Sequence, residues 1–340
     1  MWQRVLQIFL IGVLFSCKIN AQLPLIQLLD SSQNTSSFRG ISVVNEEICW
    51  ISGSKGTVGY TIDGGKNFTW LKVKGYENRD FRDVEAFDNQ TAIIMAVDAP
   101  ALILKTTDAG KNWRTVLFDT TKGMFLDALF FKGKKGWVIG DPINQRPYLA
   151  CTTNSGDSWL PYMYKDTLQE GEAFFASSGS NIAFTNFKSP LFVSGGKSSR
   201  LLSFVNQQVL PIIQGTNSTG ANSISIYNKK TLCIVGGDFA QPNQENTNCL
   251  LSINGGKTWQ KPQTPPIGYK SAVIYCSKQK LVACGTTGVD ISTDCGNNWQ
   301  KISTLGFHTL QKSPNGKTIF LAGGRGKIAK LVWPKKLRSI

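Results

Sequence analysis

Apolar and polar positions alternate in short runs along this chain, and no stretch sustains helical spacing between caps. Runs such as Thr91–Val97, Leu102–Thr107 and Trp113–Leu117 end at clusters rich in Gly, Asn or Asp. Short strands divided by tight turns predict an all-β chain.

The turns repeat. Ser or Thr, any residue, Asp or Asn, any residue, Gly, two residues and an aromatic occur five times, centred on Asp63, Asp108, Asn154, Asn254 and Asp294. The aromatics are Phe68, Trp113, Trp159, Trp259 and Trp299. The Asp or Asn oxygen accepts backbone N–H groups of its own turn, Gly takes a positive φ, and the aromatic folds back beneath the hairpin. These Asp-box turns carry structure and no chemistry. Their steps are 45, 46, 100 and 40 residues, and the long step holds two repeats with a degenerate turn near Ser198–Asn206.

A second element supports this spacing. Short strand openers stand at Phe38-Arg39-Gly40, Phe81-Arg82-Asp83, Phe125-Leu126-Asp127, Gly171-Glu172-Ala173, Ala221-Asn222-Ser223, Tyr269-Lys270-Ser271 and Phe307-His308-Thr309. Seven repeats of four strands predict a seven-bladed β-propeller. The last repeat offers three strands, and Pro24–Leu29 is expected to supply its fourth, closing the ring and covering its edges.

Such a ring places the start of each inner strand at one mouth of a central channel. The residue after each opener runs Arg39, Arg82, Leu126, Glu172, Asn222, Lys270, His308. The turns between second and third strands add Lys55, Asp98, Asp141, Asp238, Asp290 and Arg325 at the same face. Charged groups converging on a concave mouth make a binding site. The candidate ligand-binding residues are Arg39, Arg82, Asp141, Glu172, Asp238, Lys270, His308 and Arg325. The competing reading is structural: Arg82 paired with Glu172 or Asp127 would only tie blades together.

With 41% hydrophobic and 17% charged residues, the 340-residue chain can build a core, which excludes global disorder. Residues 1–21 read as a signal peptide, with Arg4, an apolar run from Leu6 to Phe15, and Ala21 before Gln22. Residues 22–340 then form one propeller domain. The apolar run is too short to span a bilayer comfortably, and no later one replaces it. Leu14-Phe15-Ser16-Cys17 resembles a bacterial lipobox, so a lipid anchor at Cys17 stands as the alternative. Either way the protein is expected to be exported: periplasmic, at the cell surface or secreted. A monomer is expected.

Cleavage takes away Arg4 and Lys18 and lowers the net charge from +15 to +13. A basic surface favours anionic partners such as acidic glycans. No basic helix or aromatic-basic motif points to nucleic acid. The seven cysteines left after cleavage show no metal or framework spacing and read mostly as small buried hydrophobes. No phosphate loop, metalloprotease helix, CxxC pair or nucleophile elbow is present, so neither a cofactor nor a metal is expected.

Two families resemble the chain. Sialidases also use Asp-box propellers, and Arg39 sits roughly where they place a carboxylate-binding arginine. Gly40-Ile41-Ser42 follows it instead of the usual Ile-Pro, and Arg200 and Arg325 have no supporting motif. That resemblance implies, as the alternative function, a carbohydrate-active enzyme on acidic glycans, with Glu172 and either Asp141 or Asp238 as acid and base. The closer resemblance is to the bacterial photosystem II stability/assembly factor-like propellers. It covers nearly all of residues 24–333 and is carried by Ser37-Phe38-Arg39-Gly40, Phe81 to Phe87, Gly140-Asp141-Pro142, Gly171-Glu172-Ala173-Phe174, Gly236-Gly237-Asp238, Gly268 to Ser271, Gly306-Phe307-His308 and Gly326 to Ala329. Lys270 and Lys327 depart from the arginines expected there. The resemblance implies an exported binding module or assembly scaffold for an anionic ligand or a protein segment.

Overall fold

The structure, a computed structural model, describes residues 23–29, 34–186, 188–244 and 247–334. The leader expected at residues 1–21, Cys17 included, lies outside the described residues. The strands form seven antiparallel sheets, and among the described residues there is no helix. The protein is a seven-bladed β-propeller.

Blade 2 shows the unit: Phe81–Ala86 lines the channel, followed outward by Ala92–Ala96, Ala101–Thr106 and Arg114–Asp119. Ring closure follows the sequence expectation. Leu25–Leu28 pairs antiparallel with Ile328–Val332 and becomes the outer strand of blade 7.

The apolar runs make the core between blades rather than within one. Seven buried clusters occupy the seven blade interfaces. One holds Trp50 and Val58 of blade 1 against Phe81, Val84 and Ile94 of blade 2. Another holds Phe320 and Ala322 of blade 7 against Phe38 and Ile51 of blade 1, which seals the ring. Each such side chain contributes about 1.5–3 kcal/mol when fully buried.

The five turns do what their residue types dictate. Thr61 Oγ1 accepts the Gly65 N–H at 2.8 Å, and Asp63 Oδ1 accepts the N–H groups of Lys66 and Asn67 at 3.0 Å. These donors hold the Asp63 carboxyl well below its usual range. Trp113 and Trp299 donate their indole N–H back to the carbonyls of Gly110 and Gly296. Each turn also leans on the first hairpin turn of its own blade. Gly64 donates to the Glu47 carbonyl, Ala109 to Gln90, Ser155 to Lys134, Gly255 to Lys230 and Cys295 to Gln279, all at 2.8–2.9 Å. Both sets of turns therefore share the face opposite the inner-strand starts.

Blade 4 departs from the pattern. Its strands are Ile182–Ala183, Leu191–Val193, Arg200–Leu202 and Gln207–Val209, only two or three residues each. Its degenerate turn closes at Ser203–Asn206, within the expected stretch. Gly171-Glu172-Ala173, read as its opener, is not its inner strand. Glu172–Ala173 pairs with Gly195–Gly196, which joins the sheet of blade 5. The chain then leaves the sheet and crosses the channel. The described cysteines are all free thiols, with Cys49, Cys233, Cys249 and Cys284 buried.

Candidate functional site

Four inner strands begin with a β-bulge, and the bulged residues are Arg39, Arg82, Asp127 and Asn222. A bulge inserts one unpaired residue and re-aims its side chain. In blade 3 this corrects the sequence register by one position. Leu126 pairs with Gly140 as Phe81 pairs with Ala96, so Leu126 fills the core position and Asp127 takes the place of Arg82. In the sequence the aromatic Phe125 aligns with Phe81, which places Leu126 one position out of register.

The mouth opens into a cavity of about 500 Å³ lined by Arg39, Arg82, Asp141, Asn222, Tyr269 and His308. Its floor is the stretch from Ala173 to Ser177. That segment is tied to distant blades. Ser177 Oγ donates to Asn222 Oδ1 at 2.9 Å, and Tyr269 Oη donates to the same oxygen at 2.8 Å. The Ser177 carbonyl accepts a long 3.5 Å bond from Arg39 Nη1. One residue on, Ser178 Oγ donates to the Ser271 carbonyl at 2.8 Å, and Thr309 Oγ1 donates to the Ser178 carbonyl at 3.1 Å. Gly179, at φ 69°, passes so near Asp83 that a Cβ there would collide with the carboxylate. Blade 4 thus plugs its own channel.

The plug leaves a second cavity of about 770 Å³ on its other side, lined by Asp83, Glu85, Ser178, Ser180, Thr309 and Gln311 among others. Burial pushes the Asp83 carboxyl up to about 7. Burial and then the neighbouring Asp83 push Glu85 up to about 8. The two cavities are electrically unlike.

In the mouth cavity the cations dominate. Arg39 is partly buried, and no carboxylate pairs with it among the described ion pairs. Burial and Arg82 lower its pKa, in the direction that a bound anion would reverse. Arg82 donates to Asp80 Oδ2 at 2.8 Å and lies 5.9 Å from the Phe125 ring centroid. His308 is neutral: burial first, then Arg39, Lys327 and Arg82, push it down to about 3. Asp141 is raised to about 6 by burial, opposed by the Phe174 N–H bonded to Oδ1 at 2.8 Å. Asp127 is raised well above the carboxylate range by burial and by Asp141. Asp141, at about 6, is still largely ionised at neutral pH, and Arg82 already has Asp80, so Arg39 is the lining cation with no carboxylate partner among the described ion pairs.

Of the eight residues singled out in the sequence, Arg39, Arg82, Asp141 and His308 line this cavity together. The other four do not. Glu172 is held by Arg200, with Nε–Oε1 at 2.9 Å and Nη2–Oε2 at 2.6 Å, both side chains buried. Lys270 pairs with Asp290 at 2.6 Å, both fully buried, so Asp290 belongs to a strand interior rather than a mouth turn. Asp238 caps its own loop through the N–H groups of Ala240 and Gln241. Arg325 is exposed on a turn at φ 58°, outside the cavity lining. The expected Arg82 pairing with Glu172 or Asp127 gives way to Asp80. Asp127, Tyr269 and the plug went unnamed as site elements. Tyr269 carried a signal, an aromatic at the opener. The plug carried none, since Phe174-Phe175 reads as strand.

Residues 27–124 match the family model described as photosynthesis system II assembly factor YCF48. No curated protein sequence matches the chain. Among solved structures, YCF48 bound to D1 peptide is similar with a TM-score of 0.62 and 15% identity, over 92% of this chain and 96% of that one. YCF48 from Cyanidioschyzon merolae gives 0.65 and 14%, over 92% and 99%. The Pan2 WD40 domain of Neurospora crassa gives 0.59 and 13%, over 89% and 91%, which shows how widely the propeller is shared. Residues 27–124 thus resemble the photosystem II assembly factor-like family model, and the ring as a whole shares the β-propeller fold of the two YCF48 structures.

Proposed function

We propose that this protein is an exported binding propeller, an assembly scaffold whose plugged channel mouth receives an acidic segment of a protein partner. The observation that carries the reading is the pair Arg39 and Arg82 above a blind, partly aromatic cavity, with no carboxylate paired to Arg39 among the described ion pairs. Guanidinium forks bind carboxylates bidentately, and a recessed site strengthens such bonds. One of the similar structures is YCF48 bound to D1 peptide, which favours a peptide over a glycan. The glycosidase alternative has less support: Glu172 is engaged by Arg200 and Asp238 by its own loop. Export rests on the composition of residues 1–21 and is checked by the N-terminal sequence of the mature protein.

The test is fluorescence anisotropy with labelled Asp/Glu-rich peptides and their Lys-substituted counterparts. Acidic peptides bind and basic ones do not. The Arg39→Ala, Arg82→Ala double variant weakens binding on the order of 100-fold, since hydrogen bonds to charged groups contribute about 1.5–3 kcal/mol each. Equal affinity in wild type and double variant would remove the site.

A further inference from the structure

The lysines that look scattered in the sequence are gathered by the topology. First hairpin turns and third-to-outer turns lie on one face, as their shared backbone hydrogen bonds show. On that face the turns of blades 3 to 6 present Lys134, Lys188, Lys229, Lys230 and Lys278, all exposed. None of the first turns in these blades contains Asp or Glu, and their third-to-outer turns add two acids, Asp157, which Lys105 and Arg114 engage, and Asp294. Blades 1 and 2 carry Glu46, Glu47 and Asp88 there instead, and Lys317 of blade 7 marks the border by lying 3.6 Å from Glu46. The face is therefore polarised, with a broad basic sector.

The same sector exposes aliphatic tips. Val205, in the turn of blade 4 between Arg200–Leu202 and Gln207–Val209, is 87% exposed. Ile253, beside the Asn254 turn of blade 5, is 72% exposed. The two turns are neighbours, since Gln208 Nε2 of blade 4 donates to the Lys257 carbonyl of blade 5 at 3.3 Å. Tyr227 stands 44% exposed beside Lys229. Water-exposed aliphatics set among lysines have no use in solubility.

We propose that this face docks on an anionic bilayer surface. Headgroup phosphates meet the ammonium groups, while Val205 and Ile253 enter the boundary between headgroups and acyl chains. A polyanion would satisfy the lysines and leave the aliphatic tips in water. Nucleic acid would also want arginine forks and a run of stacking aromatics, whereas the turns of this sector hold no arginine and one exposed aromatic, Tyr227, among the described residues. Docking in this pose turns the channel mouth, on the opposite face, away from the bilayer and toward its ligand. The proposal is independent of what the mouth binds.

The test is partition of the full chain onto vesicles of phosphatidylcholine, or of phosphatidylcholine and phosphatidylglycerol in equal parts. Residues 1–21 are present in every sample, so their contribution cancels in ratios between variants. The anionic vesicles bind better, and the gain falls with added salt. Lys229→Gln, Lys230→Gln and Lys278→Gln together lower the anionic partition on the order of 100-fold, at about 1 kcal/mol per lysine near such a surface. Glu46→Gln with Glu47→Gln does not lower it. Val205→Ser with Ile253→Ser lowers it about tenfold through lost apolar burial. Hydrogen exchange slows at turns 203–206, 228–231 and 252–256 on anionic vesicles and not at turn 44–48. Equal binding to both vesicles, or an unchanged partition of the Val205→Ser, Ile253→Ser variant, would overturn the proposal. So would protection of these turns by RNA or a sulfated glycan with none from vesicles.

Discussion

Blade 2 and blade 4 divide the work of the molecule. Blade 2 has strands of five or six residues in continuous register, broken only by the bulge at Arg82 and one near its edge. Ile93, Ile94 and Met95 are fully buried at its faces. Blade 4 has short strands and is pinned by polar side chains. Arg200 and Ser194 hold Glu172, and Tyr164 Oη donates to the Ser203 carbonyl at 2.9 Å. Long strands make a rigid wall. The residues that blade 4 withdraws from its sheet become the floor of the mouth cavity. Regularity builds the frame, and the one irregular blade builds the site.

That contrast can be broken most forcefully at the polar pin. Arg200→Ala leaves the buried Glu172 without a counter-charge and costs about 3–5 kcal/mol in urea unfolding, together with loss of acidic-peptide binding. In blade 2, Ile94→Ala costs about 2–5 kcal/mol through its cavity, with peptide affinity unchanged. The third test uses pH. Asp83 has a folded pKa near 7, raised above its unfolded value, so the folded state holds the extra proton. Its contribution is fully present below about pH 4 and is lost as pH rises through 7. Asp83 therefore contributes a fall in unfolding free energy of up to about 1.4 kcal/mol per pH unit between about pH 4 and pH 7, Glu85 adds a like share reaching to about pH 8, and Asp83→Asn removes the first share only. The smallest effect is Ser178→Ala, which removes the hydrogen bond to the Ser271 carbonyl. It costs about 1 kcal/mol and weakens peptide binding more than it weakens the fold.

The frame was legible because its causes are local. Each Ser/Thr–Asp/Asn–Gly turn satisfies its own backbone, and each opener seats an apolar residue between blades. Seven repeats and the closing strand at Leu25–Leu28 follow from counting them. The site was half legible. Arg39, Arg82 and His308 meet because bulges and strand starts recur at fixed places in the repeat. Lys270 misled because its charge is answered by Asp290 across a sheet, a contact that no local pattern announces. Asp127 was hidden by Phe125, an aromatic in the position that Leu126 fills. The plug was invisible for a deeper reason. Its hydrogen bonds run to Asn222, Ser271 and Thr309, which are distant in sequence, while its own residues have ordinary strand composition.

The central claim is that the ligand seats on the plug beneath Arg39 and Arg82. Hydrogen exchange with and without a bound acidic peptide tests it most directly. The account predicts slowed exchange at residues 174–178 and at Asn222, with little change in the outer strands of blades 2 and 6. Protection confined to outer strands or to the opposite face, with the plug unchanged, would contradict it.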